Sequence, residues 1–195
     1  MKTTNVSLVG VGGQGIILTA DMLAKAASLA GYQVKKSEIH GMSQRGGSVT
    51  SQVRFGDNVS SPIIQQGTSD VLVAFDRLEA LRCARELAPG GKALVAKVDL
   101  VPVTVSSGAQ KPVEDLEGRL AAALPEAVVV DAMSIARDQV GNDRTMNMVI
   151  AGALSRFLPL PEEHWLEAMK QLLTGPKAKL LPANEKAFAL GREAV

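Results

Sequence analysis

The sequence predicts an α/β domain whose mostly parallel sheet is covered by helices on both sides and followed by a helical C-terminal part. Three observations carry this. Short apolar, β-branched runs alternate with stretches of helical periodicity through the first two thirds of the chain. A glycine-rich turn joins the first such run directly to the first helix. The last third holds three helical stretches in succession with no strand between them. Strands that alternate with helices pair in parallel, because each helix carries the chain back across the sheet.

The elements follow in order. "VSLVGV" is a short β-rich run. Over residues 14–30, Ile16, Ala20, Leu23, Ala27 and Ala30 recur at helical spacing, and Gly31 is a natural stop. "YQVKKSEI" is a weaker strand. "SVTSQVRFG" alternates, with Val49, Val53 and Phe55 on one face and Thr50, Gln52 and Arg54 on the other, the pattern of a half-buried strand. Asp57 and Asn58 turn the chain into "DVLVAFD", a continuous apolar run of the kind buried on both faces. A helix over 78–87 ends at "PGG", and "KALVAKV" and "VPVTVSS" read as strands. A helix over 116–124 precedes the buried run "AVVVDA". "TMNMVIAGALSRFL", "PEEHWLEAMKQLL" and "PANEKAFALGREAV" close the chain as helices, their starts marked by Thr145, Pro161 and Pro182. No linker or repeat divides the sequence, so residues 1–195 read as one domain.

Composition limits the function. The chain has 195 residues, enough for a full core, and at 46% hydrophobic and 21% charged it is ordinary for a globular protein. Lysine and arginine total 21 against 20 acidic residues, a net charge of +1, which gives no reason to expect nucleic acid or an anionic membrane as partner. No apolar run is long enough to span a bilayer, and "MKTTNVSLVG" enters a strand without a signal peptide's apolar region, so the expected compartment is cytoplasmic. The single cysteine, Cys83, can neither form an internal disulfide nor hold an iron–sulfur cluster, which takes about four thiolates. His40 and His164 lie far apart, which leaves no zinc site, and Cys83 reads as a small packing residue near Leu78 and Leu81.

Two glycine-rich segments are the candidate sites. In "SLVGVGGQGIIL", Gly10, Gly12 and Gly15 satisfy G-x-G-x-x-G at a strand–turn–helix junction, the pattern of a Rossmann-like phosphate-binding turn. Such a turn brings backbone N–H groups and a helix N-terminus to an anion. Two features depart from a dinucleotide site. An extra glycine, Gly13, followed by Gln14, opens the loop further than the fingerprint requires. Glu38, at about the 20-residue distance expected of a ribose-binding acid, follows the polar "VKKS". The second segment, "SEIHGMSQRGGSV", sets His40, Ser43, Gln44, Arg45 and Ser48 among Gly41, Gly46 and Gly47. Exposed backbone donors beside a planar guanidinium suit phosphate or carboxylate. The binding set expected from these segments is Gly10, Gly12, Gly13, Gln14, Gly15, Ser43, Gln44, Arg45, Gly46 and Gly47, with no catalytic residue and no metal ligand. Further along, Asn142 reads as a cap. Asn147 has no such role and is expected at an interface. His164 and Trp165 read as packing residues.

Five segments in register, "GVGGQGI", "HGMSQRGGSV", "SDVLVAFDRLEALR", "VPVTVSSG" and "GNDRTMNMVIAGALSRFL", resemble the gamma-type domain of the 2-oxoacid:ferredoxin oxidoreductases, and within that family the small subunits of the indolepyruvate type. The resemblance runs from about residue 5 to residue 191. It implies a subunit that is inactive alone and works with a large alpha subunit holding thiamine diphosphate, Mg2+ and [4Fe-4S] clusters. Ferredoxin would be the electron acceptor of the complex, coenzyme A its co-substrate, and aryl pyruvates its substrates, yielding the aryl acetyl-CoA. The sequence itself lacks the "GDG"…"NN" pattern that clamps magnesium and diphosphate. A subunit of this kind is expected to expose apolar surface for its partner, and to form a homodimer when isolated. The glycine turn alone leaves a second reading open, a self-sufficient NAD- or FAD-binding oxidoreductase, and more distantly a nucleotide-binding regulatory module.

Overall fold

The computed structural model describes residues 2–40 and 47–195. Its strands, β1 (Thr4–Val11), β2 (Gln33–His40), β3 (Ser48–Gly56), β4 (Ser69–Ala74), β5 (Leu87–Ala96) and β6 (Val128–Val130), form one six-stranded sheet in the order β2-β3-β1-β4-β5-β6. The main helices are α1 (Ile16–Leu29), α2 (Arg77–Cys83), the one-turn α3 (Val103–Ser106), α4 (Leu116–Ala123), the short α5 (Ala132–Ser134), α6 (Met146–Ser155), α7 (Glu162–Leu172) and α8 (Leu181–Glu193). Among the described residues no helix is long and apolar enough to cross a membrane.

The sheet is mostly parallel, as expected, with one strand reversed. β1, β4, β5 and β6 pair in parallel, whereas β3 runs against both β1 and β2. The cause is chain length. Val49 already pairs with His40, so the connection between β2 and β3 is too short for a parallel crossover, which needs a dozen or more residues.

Alternation along the strands builds two cores. Val6, Leu8, Val53, Phe55, Val71, Val73 and Leu94 face a large cluster shared with α1, α6, α7 and α8. Val9, Leu72, Ala74, Ala93 and Val95 point the other way, onto Ala80 of α2 and Leu120 of α4. β4 is therefore buried on both faces, as its unbroken apolar run demands. Val49, Val53 and Phe55 take the inner face of β3. On its outer face the chain after β3 serves as cover: Gln52 Oε1 accepts from Ile64 N–H at 3.0 Å, and Arg54 Nη1 donates to the carbonyls of Ser61 (2.8 Å) and Ile63 (3.0 Å).

Two expectations fail locally. "PGG" does not end a helix. α2 gives way to a 3-10 turn at Ala84–Glu86, and residues 89–91 lie inside β5, where Gly90 at φ 74° accommodates a bulge between the pairs Ser69–Leu87 and Val71–Lys92. "VPVTVSS" is not a strand but an exposed loop ending in α3. Pro102 N-caps that turn, and Val101 and Val103 are 68% and 64% exposed. Alternating valines cannot form a strand where no sheet edge lies beside them to supply pairing.

Candidate functional site

The carboxyl ends of β1, β4, β5 and β6 form one rim, where ligands bind in open α/β sheets. The glycine turn sits on it. Gln14 folds its side chain back into the turn: Oε1 accepts from Val11 N–H at 2.7 Å, and Nε2 donates to the Phe75 carbonyl at 2.8 Å. It thereby bolts the end of β1 to the end of β4. Gly10 is a glycine because this bolt passes over it, and a Cβ there would lie 2.7 Å from Gln14 Oε1 and 2.9 Å from Phe75 Cβ.

The turn joins the second glycine segment through one bond, Gly12 N–H to the Gly47 carbonyl at 2.9 Å. Ser48 begins β3 at the same place. Its Oγ donates to Glu79 Oε2 at 2.6 Å, and Arg82 Nη1 donates to Glu79 Oε1 at 2.5 Å. The two segments thus meet on the rim. Ser43, Gln44, Arg45 and Gly46, with Gly41, lie outside the described residues.

Asp76, 1% exposed, ties the rim together further along. Its Oδ1 accepts from Leu78 N–H (2.9 Å) and Glu79 N–H (3.1 Å), capping α2, and its Oδ2 accepts from Leu100 N–H (2.8 Å). Burial pushes the Asp76 carboxyl above its ordinary value, against the pull of those three backbone donors. Asp76 and Glu79 were not expected at the site, although an Asp just before "RLEALR" is a recognisable N-cap signal.

Leu100 divides two cavities on this rim. One, about 270 Å³, lies toward α2 between Gly12, Ser48, Glu79 and Val101. The other, about 340 Å³, lies toward α6 and is lined by Gly13, Gln14, Arg144 and Asn147 among others. At its floor the turn takes an uncommon path. Gly13 has φ 104° and faces open space, whereas Gly15, at φ 84°, meets Asn147 so closely that a Cβ would fall 2.8 Å from its amide. Asn147 is 6% exposed, and its backbone carbonyl accepts from Thr19 Oγ1 at 3.4 Å. Asn142 is a cap, its Oδ1 accepting from Arg144 N–H at 3.1 Å.

A dinucleotide would find this rim unsuitable. β3 separates β2 from β1, which puts Glu38 two strands, roughly 10 Å, from the turn. Glu38 is also engaged by Lys36 at 2.5 Å, and Lys36 reaches Asp21 as well. The ribose acid of a dinucleotide site is therefore neither adjacent to the glycines nor free. Among the described residues no three His, Cys, Asp or Glu side chains converge, and burial, aided by Glu79, pushes the Cys83 thiol up to about 11, away from a ligating thiolate.

The described residues of the rim can bind and position, and the chain is similar to proteins of known kind. The family model described as pyruvate ferredoxin/flavodoxin oxidoreductase matches residues 5–194. The chain is 39% identical to the indolepyruvate oxidoreductase subunit IorB of Pyrococcus horikoshii, over 100% of this chain and 96% of that one. It is 36% identical to the subunit of the same name from Archaeoglobus fulgidus, over 96% and 92%. The crystal structure of a keto/oxoacid ferredoxin oxidoreductase gamma subunit from Geobacter sulfurreducens PCA superposes with a TM-score of 0.71 at 25% identity, covering 98% of this chain and 97% of that one. With a match along nearly its whole length, the chain belongs to the pyruvate ferredoxin/flavodoxin oxidoreductase family, as a gamma-type subunit of 2-oxoacid:ferredoxin oxidoreductases.

Proposed function

We propose that this chain is the small subunit of an indolepyruvate-type enzyme. In the complex an aryl pyruvate loses carbon dioxide, two electrons pass to ferredoxin, and the remaining acyl group leaves on coenzyme A as the aryl acetyl-CoA thioester. The observation that carries the reading is the 36–39% identity to indolepyruvate oxidoreductase subunits along nearly the full length of both chains. Thiamine diphosphate, Mg2+ and [4Fe-4S] clusters do not fit the residues here. The one thiol is held protonated, and no set of carboxylates converges among the described residues. Those groups belong to a large alpha subunit, and the decarboxylation and redox steps are that subunit's.

This chain's part is at the rim. Gly10, Gly12, Gly13, Gln14 and Gly15 shape the turn, Gly47 meets it through the Gly12 N–H, and Ser43, Gln44, Arg45 and Gly46 are the further donors and guanidinium of the proposed set. Together they close the shared active site over an anionic portion of a substrate. The whole span 1–195 acts as one domain, in the cytoplasm.

Co-expression with a large subunit of the indolepyruvate type tests this. A stable complex that oxidises indolepyruvate in the presence of coenzyme A and ferredoxin, with neither subunit active alone, is the expected result. Failure to co-purify, a flavin spectrum in the purified chain, or micromolar NAD binding in calorimetry would overturn it.

A further inference from the structure

We infer that residues 99–115 form an arm whose position is set by a clasp, Asp76 and Arg77, and that the clasp holds the arm's valines ready-placed for a protein partner. The partner is the large subunit of the proposed function, and the inference rests on that reading for this identity alone.

The arm has no anchor of its own. No residue over 101–115 is buried, and none joins either core cluster. Among the described residues, the hydrogen bonds of 101–110 stay within the arm. Val105 N–H and Ser106 N–H both donate to the Pro102 carbonyl at 2.9 Å, and Gln110 N–H donates to the Thr104 carbonyl at 2.8 Å. Long connections that bury nothing are uncommon in compact domains and usually serve binding. A segment bonded only to itself takes its orientation from its base.

The base is tied at three consecutive residues, Val98, Asp99 and Leu100, by two consecutive residues at the start of α2. Arg77 N–H donates to the Val98 carbonyl at 2.9 Å, and Asp76 Oδ2 accepts from Leu100 N–H at 2.8 Å. The Arg77 guanidinium forks onto Asp99, Nε to Oδ1 at 2.7 Å and Nη2 to Oδ2, which holds the Asp99 carboxyl below its ordinary value. The same guanidinium lies 3.9 Å from Glu117 at the other foot of the arm, so one side chain gathers both stems. A fork on a carboxylate fixes direction as well as proximity. Asp76 is buried and already fixed by capping α2, so the clasp belongs to the framework and the arm hangs from it.

The clasp thus fixes an exposed apolar group, Leu100, Val101 and Val103, in water, and only a covering surface rewards that. The group overhangs the cavity that Gly12 and Ser48 line, on the face through which the proposed function joins the large subunit. Ordering a loop before it docks removes that cost from association. Asp76 and Arg77 are therefore positioning residues for assembly.

Amide hydrogen exchange of the whole isolated chain reads the clasp, and titration into the large subunit reads its use. Asp76→Asn keeps the cap, because asparagine is an equal N-cap and its oxygen still serves Leu78 and Glu79 N–H, but it turns an amide donor toward Leu100 N–H. The Leu100 amide should exchange about tenfold or more faster while the Leu78 amide keeps its rate. Asp99→Asn breaks the fork at a half-exposed carboxylate, so it carries the test should the buried substitution unfold the chain. Arg77→Gln and Asp99→Asn should each raise the concentration of this chain that half-saturates the large subunit, by about two- to fivefold, with turnover at saturation unchanged. The double variant should do no more than either single one, since both remove the same contact. An unchanged Leu100 rate in Asp76→Asn, single effects that add in the double variant, or turnover that falls while half-saturation stays would each overturn the clasp. So would wild-type assembly by a chain whose Leu100 amide has been freed. If the wild-type chain itself never joins the large subunit, the subunit reading falls and the partner named here with it, while a freed Leu100 amide in Asp76→Asn still upholds the clasp.

Discussion

Gln14 turns the glycine loop into a side-chain tie between two strand ends. One side chain takes up the Val11 N–H and the Phe75 carbonyl, two strand-end groups that would otherwise need water. The residue was legible as an oddity, a glutamine beside an extra glycine in G-x-G-x-x-G, but its role was not, because the partner at Phe75 lies 61 positions away and only the parallel pairing of β1 with β4 brings it near. The same holds for Asn147. Its lack of a capping role could be read from the sequence, whereas its contact with Gly15 could not. Gln14→Leu keeps the volume and removes both bonds. Each unmatched backbone group costs about 1–3 kcal/mol when buried, less here because Gln14 is half-buried, so a loss of roughly 2 kcal/mol is expected. Urea unfolding checks it, and a loss below about 0.5 kcal/mol would mean that water replaces the amide without penalty.

Helix α6 is buried along its whole length, and α8 lies against it through two glycines facing opposite backbones. A Cβ on Gly152 would fall 2.0 Å from the Phe188 carbonyl oxygen, and one on Gly191 would fall 2.0 Å from that of Val149. The helices approach so closely that neither position tolerates a methyl group. Both elements were readable as helices, α8 from apolar residues at helical spacing and α6 from the length of its apolar run, with Thr145 and Pro182 marking the starts. Their mutual approach was not, because a glycine inside a helix reads only as a weak helix former until its neighbour is known. The strand read into "VPVTVSS" failed for a related reason: β-branched residues report a preference, and the missing sheet edge decided the outcome. Gly152→Ala raises helix propensity, by up to about 1 kcal/mol in isolation. The expected result is nevertheless a destabilisation on the order of 3 kcal/mol, because backbone atoms must separate to admit the methyl group. If thermal unfolding shows the variant as stable as the wild type, α6 and α8 are not in backbone contact.

At the scale of the whole molecule, the sheet places everything of interest on one rim, and the rim is partly apolar. Leu100, Val101 and Val103 are 42%, 68% and 64% exposed, next to the cavity that Gly12 and Ser48 line. Large aliphatic side chains grouped in this way are costly in water and mark a surface that another protein covers. The large subunit is the occupant proposed here, because a rim that binds but does not react must meet the thiamine-bearing chain to contribute to turnover. Val101 and Val103 belong to no core cluster, so a charge there should leave the fold intact. Val101→Asp combined with Val103→Asp should therefore keep the circular dichroism spectrum and melting temperature while abolishing co-purification with the large subunit. The same pair should convert the isolated chain from the expected homodimer to a monomer in sedimentation, since two copies that lack their partner would bury the same valines. A double variant that still assembles with the large subunit at unchanged affinity would show that this loop faces solvent in the complex, and the contact would have to be sought on another side of the rim.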